Sequence, residues 1–357
     1  MRIEHFPAAE LTPELVSAWS RLQQADPSLE SPYFRPEFTQ AVAAVRGDVE
    51  VAVLEEGGEP VGFFPFQRAH GGIGRPVGGR LSDFQGVIVR KGVEWNAEEL
   101  IRGCGLTTWD FDHLLVSQQA FAPHHTAVRQ SPFMDLSDGF EVYYGKRRKA
   151  GSVSIKGFMQ KARKLARECG PLRLERRECD EQVFQTLVRW KSEQYRRTKV
   201  TNVVSFEWTV ALLRQIIRRR SEAFSGMLLA LYAGDQLAAI DLAIRSHHAL
   251  HSWFCAYSRD LGRYSPGQVH LVETAKAAEQ LGIQHIHLGS GPEQYKWSFA
   301  SDSVAVAEGS VECRPVHRIF RRGVRNTREW IRRSPLERPA RVPIAMIRDV
   351  RNWLAFR

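Results

Sequence analysis

Two short stretches hold the residue types from which a reactive site is built. In Ser265-Pro266-Gly267-Gln268, Ser265 reads as an N-cap, Pro266 suits the first helical position, and Gln268 completes an S-x-x-Q capping box. The free N–H groups and positive dipole end of such a helix hold an anion of phosphate size, and Gly267 has no side chain to keep that anion from the backbone. An ordinary capped helix reads the same way. The second stretch, Ile283 to Lys296, ends in a polar cluster containing His287, Tyr295 and Lys296. Asp241 adds a carboxylate inside the apolar run Ala238 to Ile244. Such a carboxylate is costly unless paired or used, and an imidazole has a reference pKa suited to a general base, so these are the candidates for proton handling. Each has a structural alternative: an outward-facing Asp241 on a half-exposed strand, a satisfied strand-edge His287, a surface Lys296.

The elements that must position these groups follow from periodicity. An apolar-periodic run after Gln268 stops at Gly282, which predicts a helix; Ile283 to Leu288 alternates as a strand does, and Gly289, Ser290 and Gly291 break it. Upstream, residues 52–68 and 230–245 both read as strand, Gly-containing turn and strand, ending in a basic residue. Each is followed by another strand-like segment (Gln85 to Val89, Leu250 to Tyr257), a helix, and a further strand (Phe111 to Val116, Ile283 to Leu288). That order predicts two copies of one α/β unit. Only the second copy has the Ser-Pro-Gly-Gln helix start, so only it is expected to hold a phosphorylated cofactor, with the first as scaffold or acceptor wall. Leu81-Ser82-Asp83-Phe84 either faces a cleft between the halves or is a strand-entry turn. Between the copies, Tyr143 to Gly170 reads as a basic connector helix with Phe158, Ala162, Leu165 and Ala166 on its apolar side and Lys161, Arg163, Lys164 and Arg167 on the other. Two more helices are expected at Asp180 to Thr198 and Trp208 to Arg220.

Ser-Pro-Gly, followed about twenty residues later by Leu288-Gly289-Ser290-Gly291 and then Tyr295-Lys296, resembles the GNAT acyltransferase superfamily over roughly residues 145–300. More narrowly it looks like the BioF-like or CelD-like acetyltransferases, named for cellulose and exopolysaccharide biosynthesis, with the Fem-type transferases as relatives. The resemblance implies an α/β fold of tandem GNAT-like domains, each a mixed, mostly antiparallel sheet flanked by helices: residues 1–142 without a cofactor loop, residues 143–313 as the acyltransferase domain, and a basic tail over 314–357. It implies that Ser265, Pro266, Gly267 and Gln268 hold the pyrophosphate of acyl-CoA (acetyl-CoA) as donor and that Tyr295 and Lys296 match the family's Tyr-Lys pair; with Asp241 and His287, singled out by their own chemistry, they make the catalytic candidates. Lys296 would neutralise a phosphate or an acceptor carboxylate. The reaction implied is direct transfer of an acyl group to an amine or hydroxyl, which needs positioning and a proton route and no nucleophile triad. Two features depart from the pattern: Arg263 to Gln268 contains one glycine where the general pyrophosphate loop reads Arg/Gln-x-x-Gly-x-Gly/Ala, and His287 stands where the narrower family has an acidic residue.

Composition bounds the alternatives. The chain of 357 residues is 43% hydrophobic, enough for real cores in two domains. No apolar run reaches membrane-spanning length and the N-terminus has no signal-like apolar region, so a cytoplasmic location is expected. The five cysteines are widely spaced, against a disulfide framework or a zinc site. Residues 314–357 contain 13 Arg against 3 acidic residues, an excess equal to the +10 of the whole chain. Interleaved aromatics would let this tail lie on an anionic membrane or polyanion, or dock on the body. The expected partner is a small-molecule or glycan-precursor acceptor; nucleic acid is expected only if the donor is a charged tRNA, as in the Fem-type relatives. A non-catalytic module that binds anionic membrane through the tail is the remaining alternative.

Overall fold

The structure, a computed structural model, describes residues 1–152 and 154–313; the basic tail and the membrane contact expected of it lie outside the described residues. The first half runs β1 (Arg2–Pro7), α1 (Pro13–Gln24), α2 (Pro36–Ala43), β2 (Val49–Glu56), β3 (Glu59–Ala69), β4 (Ile73–Arg75), β5 (Ile88–Val89), α3 (Ala97–Gly103), β6 (Thr108–Leu115) and β7 (His125–Asp135). Helices α4 (Phe140–Lys149) and α5 (Ser154–Cys169) lead to the second half: β8 (Leu172–Arg176), α6 (Glu181–Thr198), α7 (Glu207–Arg218), β9 (Ser225–Ala233), β10 (Gln236–Ser246), β11 (Ala249–Tyr257), α8 (Pro266–Lys276), β12 (His285–His287), α9 (Gln294–Phe299) and β13 (Asp302–Glu312). The order strand, two helices, antiparallel strands, helix, strand, strand occurs twice. The expected single connector helix is two helices, with Gly151 at positive φ between them.

All the strands belong to one mostly antiparallel sheet, in the order β1-β2-β3-β4-β6-β13-β7-β12-β11-β10-β9-β8, with β5 beside β3. The halves exchange their last strands. β13, from the second half, lies between β6 and β7 of the first, and β7 pairs with β12 of the second. Along β2, β3, β9 and β10 both sheet faces are buried, which explains their nearly continuous apolar runs. On β2, Val49, Val51 and Val53 enter a core shared by both halves, together with Trp19, Phe38, Phe184, Leu213 and Ile240 from α1, α2, α6, α7 and β10. The opposite face is divided: α3 covers the first half, and α5 and α8 cover the second. The inward face of α5 carries Ile155, Ala162 and Leu165, while Lys156, Arg163, Lys164 and Arg167 are exposed, so its charge is solvated and its helical periodicity buried.

The shared sheet draws polar side chains across the junction. Glu30 of the first half accepts hydrogen bonds from His285 Nδ1 (2.7 Å) and His287 Nε2 (2.9 Å) on β12. Burial by itself would raise the Glu30 carboxyl, but the two imidazole hydrogen bonds outweigh it and hold it at about 2. His285 is raised chiefly by its hydrogen bond to Glu30, whereas burial lowers His287.

Glu30→Gln is expected to destabilise the protein by about 1–2 kcal/mol near pH 5.5, since the carboxylate is partly exposed. The carboxyl is depressed in the folded state, so its contribution is present above the unfolded value of ~4.3 and is lost as pH falls towards about 2. His285 is raised, so its contribution is present below ~6.5 and is lost as pH climbs through the raised folded value. Denaturant unfolding of both proteins at several pH values checks this: a difference independent of pH would refute the lock.

Candidate active site

The most distinctive backbone feature of the second half is a parallel strand pair that separates. β11 and β12 pair only over Ala249–His251 and His285–His287. Beyond His251, β11 continues to Tyr257 with its β12-facing edge unpaired in backbone terms. The divergence starts at a bulge: β10 pairs Leu242 with Phe254 and Ala243 with Ser252, which leaves Trp253 as the extra residue. Trp253 Nε1 donates to Leu81 O of the first half at 2.8 Å, holding the bulge in place. The chain then turns into α8, so the open edge leads to a helix N-terminus, with free N–H groups at one end of a slot of free strand edge.

The first half closes the equivalent slot with its own side chains. Gln118 bridges the strand edge at Val87, accepting from Val87 N (2.9 Å) and donating to Val87 O (2.7 Å). Gln85 Oε1 accepts from Asp112 N and His113 N, both at 3.0 Å. The α3 start is capped by Asn96, whose side chain accepts from Glu99 N.

The helix start at α8 differs from the expected capping box. Ser265 is left-handed, φ 53°, and its side chain caps nothing; Ser265 Oγ instead accepts from Lys161 Nζ of α5 at 2.7 Å. The first turn is closed by backbone bonds from Gln268 N and Val269 N to Ser265 O. Pro266 does occupy the first helical position. A Cβ on Gly267 would lie 3.5 Å from Tyr257 Cδ1 and 3.8 Å from Cys255 Sγ, ordinary contacts, so nothing in the protein demands glycine there. The missing Cβ would face Tyr257 and Cys255 of β11, beside the helix start.

The polar candidates separate into two groups. Lys296 and Tyr295, on α9, stand at the mouth of the slot: Lys296 Nζ donates to Gly289 O at 3.3 Å and pairs with Glu293 at 3.3 Å. Burial raises the Tyr295 hydroxyl, with the negative fields of Cys255, Glu293 and Asp241 acting in the same direction. His287 is buried behind the slot, 1% exposed, bonded to Glu30 and packed edge-on against Phe84 at 5.2 Å. Asp241 is buried on the α8 side of β10, across from Cys255, and is not an outward-facing residue. Burial raises its carboxyl, and Oδ1 has no hydrogen-bond partner.

Residues outside the four catalytic candidates complete the site. Asp83 reaches across from the first half and accepts from His251 Nε2 at 2.8 Å; His251 is fully buried and Asp83 partly exposed. Burial would raise the Asp83 carboxyl, but the His251 hydrogen bond and the nearby positive fields of His113 and Lys296 hold it below the ordinary range. The segment Leu81–Phe84 thus faces the junction. Gly289 makes the approach possible: its φ is 70°, and a Cβ there would lie 2.7 Å from Asp83 Oδ2. Lys191, from α6, donates to Cys255 O at 3.0 Å on the open β11 edge, over the rings of Tyr195 and Phe254. Burial lowers the Lys191 ammonium pKa. The available signals were the apolar strand around His251 and the Asp of Leu81-Ser82-Asp83-Phe84, but their partnership has a separation of 168 residues. Among the described residues no group of three His, Cys, Asp or Glu is placed to hold a metal ion.

Residues 154–297 match the family model described as an acetyltransferase (GNAT) domain, a span that begins with α5 and contains the slot, the α8 start and Lys296. Three solved structures share the fold. FemX is 9% identical, covering 89% of this chain and 99% of its own with a TM-score of 0.56. The C-terminal domain of a protein described as a lysylphosphatidylglycerol synthetase, from Agrobacterium fabrum, is 13% identical over 85% and 93%, with 0.54. A conserved protein of unknown function from Bacteroides thetaiotaomicron is 9% identical over 86% and 99%, with 0.55. No match was found among curated proteins. The fold is therefore the mixed α/β, mostly antiparallel, GNAT-like arrangement that the sequence implied.

The two glycines make opposite demands. Gly289→Ala is expected to cost about 1–3 kcal/mol, because a side chain at positive φ must also displace the Asp83 carboxylate. Gly267→Ala is expected to leave stability within about 0.5 kcal/mol. Denaturant midpoints of the two variants check both values, and equal losses would refute the assignment of Gly289 to Asp83.

Proposed function

We propose that this protein transfers an acyl group from an acyl-CoA donor to an amine or hydroxyl acceptor by direct attack on the thioester. The observation that supports it most is the separation of β11 from β12 at the Trp253 bulge, which leaves a free strand edge running to the α8 N-terminus. The amides and carbonyls of an acyl-pantetheine arm match such an edge, and a pyrophosphate matches the helix start at Ser265, Pro266, Gly267 and Gln268, with Lys161 beside it. The residues present fit this donor: β11 pairs with β12 only as far as His251, and Gly267 adds no side chain at the helix start.

In this reading the donor supplies the activated carbonyl, and the protein supplies placement and proton handling. Asp83 is the base for the acceptor, because it is ionised and partly exposed; buried His251 holds one carboxylate oxygen and orients the other. Lys296 faces the same opening and lowers the cost of negative charge developing on the attacked carbonyl oxygen. Tyr295 and Asp241 lend hydroxyl and carboxyl groups near the β11 edge, and His287 acts through the Glu30 lock that fixes β12. The narrower resemblance extends the proposal to a polysaccharide or cell-envelope precursor as acceptor, in the BioF-like or CelD-like manner. A cytoplasmic location with the 314–357 tail on the anionic inner face of the membrane belongs to the same proposal. No helix among the described residues is long and apolar enough to cross a membrane.

One observation favours a second reading, in which the donor is a charged tRNA as in Fem-type transferases. Lys191 already occupies Cys255 O on the edge that pantetheine would use, and α5 presents Lys156, Arg163, Lys164 and Arg167 to solvent. Titration calorimetry separates the two. Acetyl-CoA is expected to bind saturably to the wild type and at least about 10-fold more weakly to Gly267→Asp, which places bulk and charge at the helix start. Absence of acetyl-CoA binding, with salt-dependent binding of charged tRNA instead, would transfer the proposal to the second donor. Asp83→Asn is expected to reduce transfer by about 100-fold or more while leaving acetyl-CoA binding intact.

A further inference from the structure

At the mouth of the slot, three side chains form an arrangement that direct acyl transfer does not require. His113 Nε2 lies 2.7 Å from Ser290 Oγ, and His113 Nδ1 lies 3.1 Å from Asp112 Oδ1. A carboxylate only accepts, so Nδ1 carries the proton, and Nε2 is left with a lone pair aimed at the serine hydroxyl. Asp112 is itself fixed by Gln85 Nε2 at 2.7 Å. Ser290 lies between Gly289 and Gly291 in the loop leaving β12, and is partly exposed. Among the described residues the backbone N–H groups of Gly289, Ser290 and Gly291 make no turn or loop hydrogen bond to another backbone group. A Cβ on Gly291 would meet Glu293 Oε2 and, at 2.9 Å, Lys296 Nζ, so the ammonium beside the serine is shared with the Glu293 carboxylate at 3.3 Å. Nucleophile, base, orienting carboxylate and a positive group for a developing oxyanion are therefore present at one point.

We propose that Ser290 is a nucleophile activated by His113, giving the protein a hydrolytic activity on activated acyl esters and thioesters through an acyl-Ser290 intermediate. The site is assembled across the junction, since His113 and Asp112 come from β6 of the first half and Ser290 from the second. Ser290 Oγ forms a bond to the acyl carbon while its proton passes to His113 Nε2. The carbon–oxygen or carbon–sulfur bond to the leaving group breaks, and the alcohol or thiol departs with that proton. Water then attacks the acyl-serine ester, giving its proton to His113; Ser290 Oγ recovers it and the free acid leaves. No oxidant, reductant or further reactant is consumed. Asp112 is a positioning residue that holds the imidazole tautomer, and the hydrogen bond from His113 also keeps the Asp112 carboxyl below its usual range despite burial. Burial alone would lower His113, but Asp112 and the charge of Asp83 outweigh it and raise the imidazole above its ordinary value, against a small opposing effect of Arg129.

The activity is independent of the acyl-CoA reading, because its probes contain no coenzyme A. The full-length protein is incubated with a fluorophosphonate, which loses fluoride as the serine oxygen bonds phosphorus, and the labelled peptide is located by mass spectrometry. Stoichiometric labelling at Ser290 is expected. It should vanish in Ser290→Ala and slow by about 100-fold in His113→Gln. The labelling rate of the wild type should rise with pH through a midpoint above the ordinary imidazole value of ~6.5, and Asp112→Asn should move that midpoint down. Hydrolysis of p-nitrophenyl acetate should show a burst that disappears in Ser290→Ala. Failure of the wild-type protein to label at Ser290, which needs no variant to fold, overturns the proposal. So does labelling at an unchanged rate in His113→Gln. Acetyl-CoA calorimetry on the same samples reports separately on the donor.

Discussion

The pairing of β7 with β13 is the constraint on which the rest of this structure depends. Each is the last strand of its half, and each has its other edge taken by the opposite half: β13 by β6 and β7 by β12. Backbone N–H and C=O groups in the middle of a buried sheet must be paired, so neither half can satisfy its final strand alone. One continuous sheet results, and with it a single core that runs beneath both halves on the α1, α2, α6 and α7 face. The junction is consequently rigid and central, which is where placement of reacting groups is most reproducible.

Polar side chains at that junction do different work from the apolar core. Glu30 with His285 and His287, Asp83 with His251, and His113 with Ser290 all pair a residue of one half with a residue of the other. Buried polar groups left unpaired cost about 1–3 kcal/mol, so these pairs penalise any misregistration of the halves more sharply than hydrophobic contacts do. The same pairs fix two carboxylates and four imidazoles around β12, in a region where Lys191 and Lys296 supply positive charge. Structural locking and chemical potential coincide because both need desolvated, oriented ionisable groups.

The two halves also show how a repeated unit becomes asymmetric. In the first, Gln118 and Gln85 supply amide groups that satisfy the open strand edge from within. In the second, Lys191 meets the corresponding edge, through a bond to Cys255 O. A side chain that completes a strand edge removes the hydrogen-bonding capacity that a ligand would otherwise use.

Much of this was readable from residue order. Strand–turn–strand segments at 52–68 and 230–245, the helix after Pro266, and the helices at Asp180–Thr198 and Trp208–Arg220 are local matters of periodicity and turn chemistry, and the structure has β2–β3, β9–β10, α8, α6 and α7 at these places. So is the break after Leu288, where Gly289 requires positive φ. Other features were decided only by tertiary structure. The capping role expected of Ser265 Oγ went instead to a hydrogen bond from Lys161, more than a hundred residues earlier. Strand exchange, the closing of the first slot by Gln118, and the meeting of Asp83 with His251 and of His113 with Ser290 join residues far apart in the chain. Periodicity reports which face of an element is buried, but it contains no information about which distant side chain arrives there; that depends on sheet register and strand order, which non-local hydrogen bonding and packing set together.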